Sequence, residues 1–421
     1  MDGRSRTLVK RRQALLTGAG LACGLAWSAR RSGAQSTSMG TFTALHVFER
    51  DRFDGEDGRI PFSGLTLANG TLFGSTFRGG TSDLGTLYAI APDGSDYRIL
   101  HHFSGEDGHK PYHKPLVVGD RTYGITKFGG DADEGVLFEI GLDGSDFRVL
   151  HHFAKTTTNA AGPNAGPILV GDRLYGTSFH GGSFRRPGAI YSFDLKTEAF
   201  EIVYSFEPTQ SRHPTGRLLA IDGYLYGTAS DFFAKGRFNR GSIFRVRPDG
   251  TEYETLYRFQ GKADSGYPYD ELAFDGDRFL YGTAYGIPDD PGDSGSLYRF
   301  DIPSAQLEVL HSFERPQVEG SKPNGSVAIA PDGRLYAATH GSNALGGQDS
   351  GTLFTMQPDG SEFEVLHRFT GGDAGDTPMR SPILANDILY GVTAFGGGTQ
   401  QDKPNFPPGY GLIYAFALPT V

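Results

Sequence analysis

Leu174-Tyr175-Gly176-Thr177-Ser178 is one of seven versions of a single phrase. The others are Leu72-Phe73-Gly74-Ser75-Thr76, Thr122-Tyr123-Gly124-Ile125-Thr126, Leu225-Tyr226-Gly227-Thr228-Ala229, Leu280-Tyr281-Gly282-Thr283-Ala284, Leu335-Tyr336-Ala337-Ala338-Thr339 and Leu389-Tyr390-Gly391-Val392-Thr393. Their starts lie 50, 52, 51, 55, 55 and 54 residues apart. So regular a period marks a repeat architecture, in which each unit buries its apolar face against its neighbours.

Around each phrase stand three more apolar stretches. In the first complete unit the four are 64–68, 71–76, 85–90 and 97–103. Asn69-Gly70 separates the first two and reads as a two-residue hairpin turn. Pro92-Asp93-Gly94 joins the last two, and its turn chemistry returns at Pro248-Asp249-Gly250 and Pro358-Asp359-Gly360. Four short antiparallel strands per unit predict a β-propeller blade, and seven units predict an all-β, seven-bladed β-propeller. The seventh unit ends after its third strand. Residues 42–48 supply the missing fourth, carrying the same Leu-His-x-Phe pattern (Leu45-His46-Val47-Phe48) as Leu310-His311-Ser312-Phe313. An N-terminal strand added to the last blade would close the ring and remove two open sheet edges.

The chain of 421 residues has 61 glycines and 12% aromatics, a mixture suited to many short strands joined by tight turns. Residues 1–34 have the signature of a targeting segment: basic Arg4, Arg6, Lys10, Arg11 and Arg12, an apolar run over 14–29, then Ser32-Gly33-Ala34 as a small-residue cleavage site. Arg11-Arg12 resembles a twin-arginine signal. The apolar run is shorter than the ~20 residues needed to span a bilayer. Export to the periplasm or beyond is therefore expected, leaving residues 35–421 as a single propeller domain without a membrane span. The only cysteine, Cys23, lies in the removable segment, so no disulfide or thiolate site is expected in the remainder. Losing that segment, which is strongly basic, would take the net charge from −10 to about −16. Such an acidic surface argues against nucleic acid as a partner.

The units are similar to the GloVer-type tandem repeat, a family of exported and surface-anchored bacterial proteins. The resemblance rests on Leu-Tyr-Gly-Thr, the glycine pairs after Phe77, Phe128 and Phe179, Gly-x-Leu-Phe/Tyr, Asp-Gly-Ser/Thr and Leu-His-x-Phe, and covers roughly residues 42–418. It implies the repeat fold and carries no catalytic residues to transfer.

Function is expected where loops depart from the repeat, on the face that collects the longer connections. After the proline that leads into each blade, most copies carry small or neutral residues, such as Pro61-Phe62-Ser63-Gly64. Blade two instead has Tyr112-His113-Lys114, blade four has Arg217 beside His213, blade five has Tyr269-Asp270-Glu271, and blade seven has Arg380. These positions are expected to begin the innermost strands and ring the channel mouth. A second ring, following the repeated phrase, offers Arg78, Lys127, His180, Asp231, Tyr285 and His340, with Arg185 and Arg186 beside His180. Cationic groups suit an anionic ligand. His113, His180, Tyr285 and His340 are the candidate acid–base groups, and Arg78, Lys127, Arg217, Arg380 and Asp270 the candidate substrate-binding groups. Together they would suit β-elimination on a uronate: a base removes the acidified proton, an acid protonates the leaving oxygen, and arginine neutralises the carboxylate.

Two functions from different classes stay open. One is an exported enzyme acting on an acidic carbohydrate by lyase or hydrolase chemistry. The other is a non-catalytic propeller binding a ligand or protein. No cofactor is required by the pattern. A divalent metal could be held by histidines, with His113 and His180 in adjacent blades the best pair. Asp270 and Glu271, adjacent on a strand, should face opposite sides and so do not make a glycosidase pair. His46, His102, His152, His311 and His367 are read as structural members of the outer-strand motif, and the Asp-rich runs before each lead-in proline lack the ligand spacing of a calcium loop.

Overall fold

The structure, a computed structural model, describes residues 40–49, 56–183, 187–207, 212–230, 240–287, 290, 292–342, 349–398 and 407–419. The expected targeting segment, Arg185, Arg186 and Asp231 lie outside the described residues. Seven antiparallel blades of four strands each are present, the inner strand of blade two being in two pieces, His109–Pro111 and Leu116–Val118. Blade three, for example, runs Ala160–Val170, Arg173–Gly181, Ala189–Asp194 and Phe200–Ser205 from the inside out. The last blade consists of Asp376–Ala385, Ile388–Phe395, Leu412–Ala417 and, as its outermost strand, Thr41–Val47 from the other end of the chain. The closing strand pairs from Thr41 opposite Ala417 to Val47 opposite Leu412.

The repeated phrase is the second strand of each blade, and its glycine has a steric cause. Gly74, Gly176, Gly282 and Gly391 pair directly with Tyr88, Tyr191, Tyr298 and Tyr414 of the third strand. Gly124 and Gly227 pair likewise with Phe138 and Phe244. Each ring folds across its glycine so closely that an added Cβ would overlap it. The rings in turn fill the spaces between blades. One core cluster joins Phe73, Leu87 and Ala89 of blade one to Val136, Phe138 and Ile140 of blade two. At roughly 1.5–3 kcal/mol for each large side chain removed from water, these interfaces supply the main cohesion of the ring.

Two further contacts stitch neighbouring blades. The first is a histidine clasp. His46, His101, His151, His311 and His367 lie face to face with Tyr97, Phe147, Phe200, Phe363 and Phe42 of the following blade, at centroid distances of 3.6–4.2 Å. The His101 and His151 rings also hydrogen-bond Asp107 and Asn159, both at 2.8 Å, just before the next lead-in proline. The structural assignment of the motif histidines thus needs a shift in two blades: the clasp residues are His101 and His151, not His102 and His152. In both blades two histidines stand side by side, and the Leu-His-x-Phe register (Leu100-His101-His102-Phe103, Leu150-His151-His152-Phe153) falls on the first of each pair, the one that stacks. The acidic residues of those runs serve this clasp and nearby backbone N–H groups, as Asp107 does for Ser104.

The second contact sits before each lead-in proline. Ile60, Lys110, Gly162, His213, Tyr267, Lys322 and Thr377 all adopt φ of 56–58°. The proline that follows disfavours the right-handed helical region. The left-handed alternative aims each N–H at a carbonyl of the preceding blade, at 2.6–3.0 Å in all seven cases. This corrects one expectation. The residues after the prolines lie ahead of the inner strand in five blades, as with Pro214, Pro268 and Pro323, which make only isolated bridges. They belong to the inner strand itself in blades three and seven.

Candidate functional site

The expected residues fall into two neighbouring places. His113, Arg217, Asp270 and Arg380 line a small cavity on the channel axis, together with Lys114 and Glu271. It encloses about 40 Å³. That is enough for a few water-sized occupants, which need roughly 10–15 Å³ each, and too little for a sugar ring. His180 and Lys127 line a larger cavity of about 250 Å³ at the mouth, with Phe128, Phe179, Tyr269, Glu134 and Lys155.

In the channel, charge is paired across distant blades. The Lys114 ammonium bonds the Glu271 carboxylate, and Arg380 Nη1 lies 3.0 Å from Asp270 Oδ2. The Arg217 guanidinium donates to the Pro167 carbonyl through Nε at 3.1 Å and Nη2 at 2.7 Å. Burial would raise the Glu271 pKa, but Lys114 and Arg217 outweigh it and hold the carboxyl below its ordinary value. Burial lowers the His113 pKa well below its usual value, and the cations Arg380, Lys127, Arg217 and Lys114 push the same way. His113 is therefore a neutral imidazole at neutral pH. Both Asp270 and Glu271 line this cavity, which corrects the expectation of opposite faces. Their segment precedes the short strand Ala273–Phe274, and the Glu271 N–H folds back onto Asp270 Oδ1 at 2.9 Å, so strand alternation does not hold there.

At the mouth, the Lys127 ammonium lies over the Tyr112 ring at 4.9 Å and near Phe128 at 5.9 Å. No carboxylate pairs with it among the described residues. Burial lowers its pKa, and Arg380 adds to the effect. Of Tyr269, Tyr285 and His340, Tyr269 lines this cavity, and the other two lead away from it with successive ring centroids 6.4 Å apart. Burial lowers the His340 pKa despite a contact with the Gly341 carbonyl, and pushes Tyr285 up to about 12. At neutral pH this places an uncharged imidazole beside a protonated phenol. His180 lies edge-on to His213, at 5.8 Å between centroids.

Arg78 is placed elsewhere. It stands one position further along the repeat than Lys127, Tyr285 and His340, and its Nη1 turns 3.4 Å from Asp83 Oδ2 in its own blade. His113 and His180 line separate cavities, and no group of three or more His, Asp or Glu side chains among the described residues could hold a metal ion. The donor set does not fit a resident metal, and no step below uses one. Sequence reasoning passed over Tyr112, as a site residue in its own right, and Lys322. Tyr112 sits under Lys127 and Arg380, and Lys322 Nζ lies 5.4 Å from the Tyr285 ring centre. Lys322 held the signal of an unusual left-handed lysine before proline, which only the backbone reveals.

No curated protein matches the chain. Among solved structures it is similar to an oligogalacturonate lyase from Vibrio parahaemolyticus, at 12% identity and a TM-score of 0.56, covering 91% of this chain and 95% of that one. An oligogalacturonate lyase in complex with manganese is similar at 13% identity and a TM-score of 0.54, covering 90% and 98%. A puromycin-hydrolysing peptidase of Mycobacterium tuberculosis shares 12% identity at a TM-score of 0.52, covering 80% of this chain and 49% of that one. At these identities the likeness is one of fold. The Gloeobacter/Verrucomicrobia repeat, by contrast, matches at the level of sequence over residues 32–238 and 232–403. Seven copies of one strand phrase and the histidine clasp lie within that match, and the chain belongs to the Gloeobacter/Verrucomicrobia repeat family.

Proposed function

We propose that this protein is exported and binds a uronate-containing oligosaccharide at the mouth of its channel. The observation that carries the reading is Lys127, a half-buried ammonium that faces a sugar-sized cavity among aromatic rings and has no carboxylate of its own among the described residues. Apolar sugar faces suit Phe128 and Phe179, and a ring carboxylate would supply the charge that Lys127 lacks. The fold shared with oligogalacturonate lyases makes galacturonate oligomers the first ligands to try.

Elimination would need a ligand that extends from this cavity past Tyr269 to Tyr285 and His340. Neutral His340 would take the proton from C5 of the uronate. The C4–O bond would break as the C4–C5 double bond forms, and Tyr285, protonated far above neutral pH, would give its proton to the departing oxygen. Lys127, in place of the arginines expected from sequence, would neutralise the carboxylate. Binding without cleavage is favoured by a separate observation: His113, one of the four expected acid–base groups, lines the cavity that cannot take a sugar ring.

Calorimetry with galacturonate oligomers and with uncharged oligomers of equal length tests binding. Ultraviolet absorbance from new unsaturated ends tests cleavage. Acidic oligomers should bind, uncharged ones should bind at least tenfold more weakly, and Lys127→Met should remove most of the difference. Equal binding of both series, or of neither, would sink the proposal. Binding without new absorbance would leave the non-catalytic reading in place.

A further inference from the structure

The channel cavity has a charge imbalance that its own side chains do not settle. Among the described residues lining it, Lys114, Arg217 and Arg380 face only Asp270 and Glu271, and His113 between them is neutral. One positive charge is left over in a space closed to bulk solvent on most sides. Arg380 shows the consequence most clearly. It is 7% exposed, yet among the described residues Nε and Nη2 have no hydrogen-bond partner and Nη1 has only Asp270. Asp270 lies 3.0 Å from Nη1. Beside it, Ser381 Oγ and His113 Nε2 are buried without partners among the described residues as well. Unpartnered donors on a buried cation are costly, because they lose water without a full set of bonds in its place. Arg380 also holds φ of 60°, a conformation unfavourable for a side chain of its size, in order to project from its strand. Strain, desolvation and unpaired donors converge on one cavity.

We propose that the channel binds one small monovalent anion of halide size, held by the free edge of the Arg380 guanidinium and by Ser381 and His113. The about 40 Å³ of space fits such an ion and excludes a ring-bearing ligand. A single negative charge balances the single excess cation, whereas a divalent anion would overshoot it. A metal cation would meet repulsion from three basic side chains. The site is separate from the mouth: the Tyr112 and Tyr269 rings lie against Arg380, with its guanidinium carbon 5.2 and 6.0 Å from their centres, and Tyr269 lines the mouth cavity.

Crystals soaked in bromide, examined by anomalous diffraction, give the direct test. One peak on the channel axis within hydrogen-bonding distance of Arg380 is expected. In solution, bromide or chloride should raise the melting temperature saturably relative to the same ionic strength of a large organic anion. Arg380→Gln should weaken halide binding at least tenfold. Because that variant loses the Asp270 pair and could fold poorly, Ser381→Ala provides a milder second test, with a several-fold weakening expected. An axial cavity filled by water alone in bromide-soaked crystals would overturn the proposal. So would a halide effect equal in the wild type and both variants. Displacement of axial bromide by galacturonate would also overturn it, by showing that the cavity is a carboxylate subsite of the mouth. Failure of uronate binding at the mouth leaves each of these readouts intact.

Discussion

His311 illustrates how one residue type does structural work in this ring. Its imidazole stacks on Phe363 at 3.9 Å, and burial lowers its pKa despite the nearby Glu319 carboxylate. His113 and His340 are lowered by burial too. For each, the unfolded chain binds a proton near pH 6.5 more readily than the folded one. Stability from these groups is complete above about pH 6.5 and is lost as pH falls through their lower folded values. Chemical-denaturation midpoints should therefore begin to drop below about pH 6.5, above the carboxylate range. His311→Gln should make that drop shallower. A midpoint that stays level down to about pH 4.5 would contradict the account. At this scale the sequence was only partly legible. That motif histidines are structural could be read from their recurrence. The Leu-His-x-Phe register also selects His101 over His102, although the stacking on Phe147 that gives the choice its meaning is a contact between blades. The candidate site suffered more. Lys114 and Glu271 are 157 residues apart, and nothing local marks them as partners, so charges that looked available to a ligand prove to be spent on one another.

The second strand of each blade carries a different lesson. Its glycine reads as a turn or flexibility signal in isolation, yet it sits mid-strand because a third-strand ring lies across it. Tyr298 crosses Gly282, and its phenol is buried without a hydrogen-bond partner among the described residues. Blade six departs from the rule in a consistent way, with Ala337 opposite Phe354, a ring that has no hydroxyl. Two substitutions separate the steric effect from the polar one. Tyr298→Phe should stabilise by about 1 kcal/mol, since it removes an unpaired buried hydroxyl. Gly282→Ala should destabilise by about 3 kcal/mol through overpacking. In the double variant the alanine should cost less, with a coupling of about 1 kcal/mol or more, because the ring can then settle as it does in blade six. Additive effects within experimental error would show that ring and glycine do not constrain each other. The strands and their order were legible from this phrase. The left-handed residue before each proline was not, because six of the seven are not glycine and the conformation is imposed by a hydrogen bond to the neighbouring blade.

At the scale of the whole molecule, closure is the decisive event. A propeller blade shares its core with both neighbours, so a ring left open exposes apolar surface and an unpaired strand edge at the same place. Thr41–Val47 prevents both. Its backbone pairs with Leu412–Ala417, Phe42 stacks 4.2 Å from His367 of blade six, and His46 stacks 3.6 Å from Tyr97 of blade one. Phe48, next along the chain, is 1% exposed. Burial of Phe42, Leu45, Val47 and Phe48 at roughly 1.5–3 kcal/mol per fully buried side chain gives an upper bound comparable with the whole stability of an ordinary domain, about 5–15 kcal/mol. A chain beginning at residue 40 should therefore melt like the full-length protein. One beginning at residue 49 should be recovered mainly as aggregate, because the edge of Leu412–Ala417 is then free to pair with another copy. Adding a synthetic peptide of residues 40–49 during refolding should restore a monomeric fraction, read by size-exclusion chromatography and by cooperative melting. A peptide with Phe42→Asp and Phe48→Asp should not. If the shortened chain melts cooperatively as a monomer within a few degrees of the full-length protein, the ring does not depend on this strand, and the end-to-end closure would be an accessory to a blade that already stands without it.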